Sequence, residues 1–331
     1  MNYLVNPNVF NDDVSLEPIR AGFGRGLKIA GEADQTVVAL CADLTESTQM
    51  HLFREAFPER FVEIGIGEQN LVTVASGMAR AGKIPFTSSY AAFSPGRNWE
   101  QIRTTVALNN QPVKIVGSHA GVSVGPDGAT HQMLEDIALM RVLPNMVVIA
   151  PGDSLEAERA TKLVASNGKP TYLRLAREKT PVISTEESPF EIGKAYVLRE
   201  GSDVALMGTG TMTYHLLVAA KLLAEKGIEA EVVHVPTIKP LDEATILASA
   251  KKTGRVVTAE EAQAAGGFGS AISELLTENL PMPVKRIGMK DRFGESGAPN
   301  ELMEHFGLSG QKVVETLASW LEETPRYHQE M

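Results

Sequence analysis

The chain has 331 residues, 43% of them hydrophobic and 22% charged, which suits a globular protein of two domains, since one core rarely grows past roughly 250–300 residues. Its net charge of −10 argues against nucleic acid as a partner, because a phosphate backbone asks for a basic face. Cys41 is the single cysteine, so no intrachain disulfide can form. With no signal-peptide pattern at the start and no apolar run near the roughly 20 residues that span a bilayer, a cytoplasmic protein without a membrane partner is expected.

Short β-rich runs alternate with helical stretches, the pattern of an α/β fold built on mainly parallel sheets. In chain order the expected elements are a helix over 17–31, a strand over 36–42, a helix over 67–81, a strand over 83–88, a helix over 97–109 and a strand over 113–118. A helix over 133–141, a strand over 146–150, a helix over 154–167 and a strand over 171–175 complete the first series. Several of these strands are nearly all apolar, as expected when helices cover both sheet faces. The alternation breaks between Arg177 and Phe190, where Lys, Thr, Pro, Ser and Glu crowd together. A linker at 181–190 is expected there, dividing a domain over 1–180 from a second over 191–325. The second series has strands at 203–208, 229–236, 255–260 and 284–288 and helices at 214–226, 242–252, 268–278 and 311–323, with a tail over 324–331 expected to fray.

Two stretches carry the candidate chemistry. Val62-Glu-Ile-Gly-Ile-Gly-Glu-Gln-Asn70 places Glu68 after a short apolar run and at the start of a small-residue helix, where the helix dipole favours an acid. Gly65 and Gly67 permit close approach of a flat ring. By itself such an acid reads as a helix cap. The second stretch, Ser118-His-Ala-Gly-Val-Ser-Val-Gly-Pro-Asp-Gly-Ala-Thr-His131, is a glycine-rich loop holding two of the seven histidines and Asp127. The spacing of His119, Asp127 and His131 is too irregular for a helical metal site, and an imidazole-rich pocket suits hydroxyl groups and proton movement. Between them, Ser89-Tyr-Ala-Ala-Phe-Ser94 sets Tyr90 and Phe93 three apart, so their rings can share one face of a turn and seat a heterocycle.

Together these segments resemble the second half of transketolase, a thiamine diphosphate enzyme: its pyrimidine-binding domain followed by its C-terminal domain. The loop resembles the family's His-Asp-x-x-x-x-Gly-x-Asp-Gly-Pro-Thr-His, with Ala120 and Ala129 as departures. Tyr90 stands at the first position of the family's Phe-x-x-Phe, and the chain is one residue shorter before Arg97-Asn98. Ala42-Asp-Leu-Thr-Glu-Ser47 resembles the family's Ala-Asp-Leu-Thr-Pro-Ser, and Arg20 and Arg177 fall where transketolases place phosphate-binding arginines, whose forks suit phosphate oxygens. In the second half, the stretch from Thr258 to Gly269 and the turn Thr237-Ile-Lys-Pro-Leu-Asp242 resemble the C-terminal domain.

The resemblance implies roles. Glu68, in an apolar place, would share a proton with the aminopyrimidine ring nitrogen of thiamine diphosphate and so activate the cofactor. Tyr90, Phe93, Asp43 and Leu44 would lie against the cofactor. His119 and His131 would orient the substrate and move protons, Asp127 would bind a substrate hydroxyl, and Arg20, Ser47 and Arg177 would bind a sugar phosphate. The family's Gly-Asp-Gly magnesium motif does not occur in this sequence. No metal ligand is therefore expected on this chain. An N-terminal-half transketolase subunit is expected to supply the diphosphate and magnesium site, in a two-fold heterotetramer. The rival resemblance is to a deoxyxylulose-phosphate synthase-like or 2-oxo acid dehydrogenase beta-like chain. Those synthases also read Glu-Gln at the acidic motif but typically carry Asp where this chain has His119. A non-catalytic partner subunit is the reading from another class, and Glu68 and Phe93 together speak against it.

Overall fold

The computed structural model describes residues 3–327. Six parallel strands form the first sheet in the spatial order Val147–Ile149, Thr171–Arg174, Lys114–Ser118, Ile84–Tyr90, Val37–Cys41, Phe61–Glu63. Strand periodicity sorts the side chains: Val37, Ala39 and Cys41 join one core cluster, and Val38 and Leu40 the other. On one face the sheet is covered by helices Ile19–Ala33 and Ser154–Ala165 through Phe23, Leu27, Ala157 and Ala160. On the other it is covered by helix Glu68–Arg80 and the segment Ile102–Ala107. The two helices of the first face cross closely because Gly22 meets the Ser154 carbonyl, where a methyl group would lie 1.8 Å from the oxygen.

The second sheet runs Val284–Met289, Val256–Gln263, Val204–Gly208, Ala230–His234, Tyr196–Arg199, with the last strand antiparallel to its neighbour. Two domains of mixed α/β structure on largely parallel sheets are thus present, as the alternation implies.

Several local expectations are corrected. The turn at Thr237 is a strand: Thr237–Lys239 pairs antiparallel with Val147–Ile149 and extends the first sheet to seven strands from the second half of the chain. Alternation within a half cannot reveal a strand lent across halves. The polar stretch after Arg177, expected as a linker, also carries backbone pairing: Lys179–Pro181 pairs with Leu16–Pro18 and Ser184 bridges Val5. The helix over 97–109 begins at Trp99 and widens into a π-helical turn over Ile102–Ala107. The helix over 133–141 begins only at Asp136, because Met133 is bridged to Ala120. Within the described residues the tail does not fray: Tyr327 donates its N–H to the Gly254 carbonyl at 2.8 Å, and Arg326 pairs with Asp203. Residues 328–331 lie outside the described part.

Candidate active site

Parallel α/β sheets gather functional loops at the carboxyl ends of their strands. Here five adjacent strands each deliver a candidate segment there: Arg177 follows Thr171–Arg174, His119 follows Lys114–Ser118, and Phe93 follows Ile84–Tyr90, whose last residue is Tyr90. Asp43 follows Val37–Cys41, and Glu68 follows Phe61–Glu63. Residues more than a hundred positions apart are thereby brought to one edge.

Glu68 opens its helix and is 2% exposed. Its Oε2 accepts a hydrogen bond from Arg97 at 2.7 Å, and its backbone carbonyl accepts one from Asn98 Nδ2 at 2.8 Å. Asn98 also donates to Ser94 Oγ, so the Glu68 backbone is fixed independently of the ion pair. Arg97, with a side chain 49% exposed, spreads its guanidinium 4.9 Å above the Phe93 ring. A flat cation therefore lies between a buried carboxylate and an aromatic face. A flat heterocycle whose ring nitrogen shares a proton with a carboxyl group has the same two requirements, so these residues fit an aminopyrimidine ring.

Next to Phe93 the rings close into an aromatic box. Tyr90 stacks on His119 at 3.8 Å between centroids and on Phe93 at 6.2 Å, while His131 presents an edge to Tyr90 at 6.1 Å and to Phe93 at 5.4 Å. The Nδ1 atoms of His119 and His131 share hydrogen bonds with Ser118 Oγ and Thr130 Oγ1, both at 2.9 Å. His119 holds a left-handed backbone, φ 58°. An L residue persists there only where its surroundings impose it, and such strain gathers at functional sites. Burial, reinforced by Arg20, Arg177 and His131, pulls the His119 pKa down to about 3, so its ring is neutral at physiological pH.

Arg20 Nε donates to the Arg177 carbonyl at 3.2 Å and its Nη1 to the Ser47 carbonyl. Arg177 in turn donates to the Val124 carbonyl at 2.8 Å. Burial, and to a lesser degree the neighbouring Arg177, lower the Arg20 pKa, and Arg177 is paired with Glu178 at 3.0 Å. Ser47 contributes its carbonyl; its hydroxyl makes no hydrogen bond within the chain among the described residues. Asp43 is exposed, in a left-handed conformation at φ 55°, and donates its N–H to Glu63 Oε1 at 2.8 Å. Leu44 packs against the core cluster around Phe23. The structure does not bring the Asp127 carboxylate against the other candidates: it is exposed, and only its carbonyl is approached, by Thr130 at 3.5 Å. Arg97, Asn98 and Glu63 carry no sequence signal of a role at this site, the Ser-Pro-Gly turn before the first two aside. Glu63 accepts from Asp43, Gly65 and Thr45 and so ties together the loops on either side of it. Among the described residues no three His, Cys, Asp or Glu side chains gather to hold a metal ion, and no helix is long and apolar enough to cross a membrane.

Residues 18–182 match the pyrimidine-binding domain of transketolase, and residues 193–313 match the transketolase C-terminal domain. A protein of Methanocaldococcus jannaschii described as a putative transketolase C-terminal section is 43% identical, over 90% of this chain and 95% of its own length. This chain belongs to the transketolase family. It is also 43% identical to a 6-deoxy-6-sulfo-D-fructose transketolase subunit of a Clostridium species, over 86% of this chain and 88% of that one. A solved split-gene transketolase, described as an inactive beta4 tetramer, superposes with a TM-score of 0.87 at 43% identity, covering 93% of this chain and 99% of its own. The relatives thus correspond to this transketolase-family chain along nearly their whole length. Every candidate site residue falls within the pyrimidine-binding match.

Proposed function

We propose that this chain is the C-terminal subunit of a split transketolase that moves a two-carbon ketol unit from a ketose phosphate to an aldose phosphate. Its domains meet at 181–190. The observation that carries the reading is the convergence of Glu68, Arg97 and Phe93 with the Tyr90–His119–His131 box and the Arg20–Arg177 pair along one sheet edge. Thiamine diphosphate, when bound, supplies a thiazolium carbon able to attack a ketose carbonyl. Glu68 holds the proton that the pyrimidine ring nitrogen needs, and Phe93 seats that ring, with Asp43 and Leu44 on its border. His119 is neutral, so one ring nitrogen can donate to a substrate oxygen while Ser118 holds the other. His131 works across the box, Asp127 reaches a sugar hydroxyl from the rim, and Arg20, Arg177 and Ser47 anchor the phosphate. A companion chain supplies the diphosphate and magnesium ligands, and two such pairs form a two-fold heterotetramer. The names of the relatives, a C-terminal section and a transketolase subunit, support the divided arrangement.

A paired assay on the complex with its companion chain tests this. Ketose phosphate plus aldose phosphate should be turned over, and His119→Asp should abolish that turnover with circular dichroism unchanged. A complex that ignores the ketose donor and consumes pyruvate with glyceraldehyde phosphate overturns the proposal in favour of a synthase.

A further inference from the structure

The loop from His119 to His131 has positive φ at His119, Gly121, Gly125 and Gly128, which the glycines adopt freely and His119 only under constraint. The first domain holds it through Ala120 N–H to the Leu175 carbonyl at 3.1 Å, Gly121 N–H to the Met133 carbonyl at 2.9 Å and Gln132 Nε2 to the Val122 carbonyl at 3.0 Å. A further hold comes from the second domain. Glu261, near the end of the Val256–Gln263 strand and 2% exposed, accepts the Ser123 N–H on Oε1 at 2.6 Å and the Thr211 hydroxyl on Oε2 at 2.7 Å. Its own carbonyl is held by Arg174 at 2.7 Å, and Arg174 is locked to Asp136 at 2.8 Å. The preceding Glu260 caps the N–H groups of Phe268 and Gly269 at 2.7 and 2.8 Å. The Glu261 carboxylate is therefore a rigid arm rather than an adaptable one. A methyl group on Gly121 would lie 2.3 Å from Glu261 Oε1, so arm and loop fit only with glycine there. The residue after Ser123 is Val124, whose carbonyl holds the Arg177 guanidinium at 2.8 Å.

We infer that Glu261 of the C-terminal domain is a positioning residue for sugar phosphate, acting through Ser123 and Val124 on the histidine loop and on Arg177. Its carboxylate meets Ser123 and Thr211 rather than the histidine side chains. This inference rests on the proposed function for the identity of the substrate, but not for the geometry of the clamp.

The experiment uses the complex with its companion chain and thiamine diphosphate. In Glu261→Ala, amide exchange over 121–124 should rise about tenfold, the order expected of one lost charged hydrogen bond. The KM for sugar phosphate should rise about tenfold as well, while kcat and thiamine diphosphate affinity stay near wild type. Glu261→Gln keeps an acceptor for Ser123 and should restore both. Should Glu261→Ala fail to fold, Thr211→Val removes the second anchor of the carboxylate and should move loop exchange and KM in the same direction. Unchanged loop exchange overturns the inference, as does a loss confined to overall stability with KM intact. If the wild-type complex shows no ketol transfer, the functional proposal fails on its own, and the exchange measurement alone then decides the clamp.

Discussion

The depressed pKa of His119 makes a quantitative prediction about stability and pH. Burial is its largest cause, with Arg20, Arg177 and His131 adding repulsion, and together they lower it from 6.5 to about 3. Between those values the unfolded chain binds a proton that the folded chain refuses. The contribution is fully present above 6.5 and is lost as pH falls toward about 3. One pKa unit corresponds to about 1.4 kcal/mol, so lowering the pH from 7 to 5 should cost about 2 kcal/mol through this residue alone. His119→Asn is the suitable comparison, because asparagine tolerates the left-handed backbone at this position and does not titrate. The stability difference between wild type and variant, from urea titrations at both pH values, should change by about that amount. His215, pushed down to about 4 by burial, titrates in both proteins and cancels. A difference that stays constant from pH 7 to pH 5, or an NMR titration of the His119 ring near 6.5, would refute the packed, cation-flanked environment described for the ring.

Glu68→Gln keeps the size of the side chain and loses its exchangeable proton. Turnover of the assembled complex should fall by about 10²–10⁴-fold with the fold intact, and near-normal turnover would reduce Glu68 to a helix cap. The Glu68–Arg97 pair should give a coupling of about 1 kcal/mol in a double-mutant cycle with Glu68→Gln and Arg97→Met on the isolated chain, modest because the guanidinium is half in water. Additive effects would show that the two groups do not meet in solution.

Much of this site was legible in the sequence because its parts are local. Glu68 at a helix start, Tyr90 and Phe93 in one turn, and the histidine loop are each contiguous; the last two follow runs that read as strands, while the strand Phe61–Glu63 before Glu68 reads only as a short apolar run. Their neighbourhood in space depends on the strand order, which puts Phe61–Glu63 outside Val37–Cys41 and Lys114–Ser118 next to Thr171–Arg174. No local pattern encodes that order. The same reason hides the contributions of the second domain. Glu261 reads as one acid of an Ala-Glu-Glu-Ala run, and Thr237–Lys239 as a turn, until the domains are packed together. The ion pair on Glu68 was out of reach for another reason. An acid expected to sit unpaired among apolar groups meets a guanidinium supplied by a segment one residue shorter than the family pattern.

This chain is proposed to supply only half of a cofactor site. Isothermal titration calorimetry of thiamine diphosphate with magnesium, first into the purified chain and then into the chain mixed with its companion, tests that proposal most directly. Binding to the chain alone should be weak or undetectable, and binding to the mixture tight. Micromolar binding to the chain alone would contradict it.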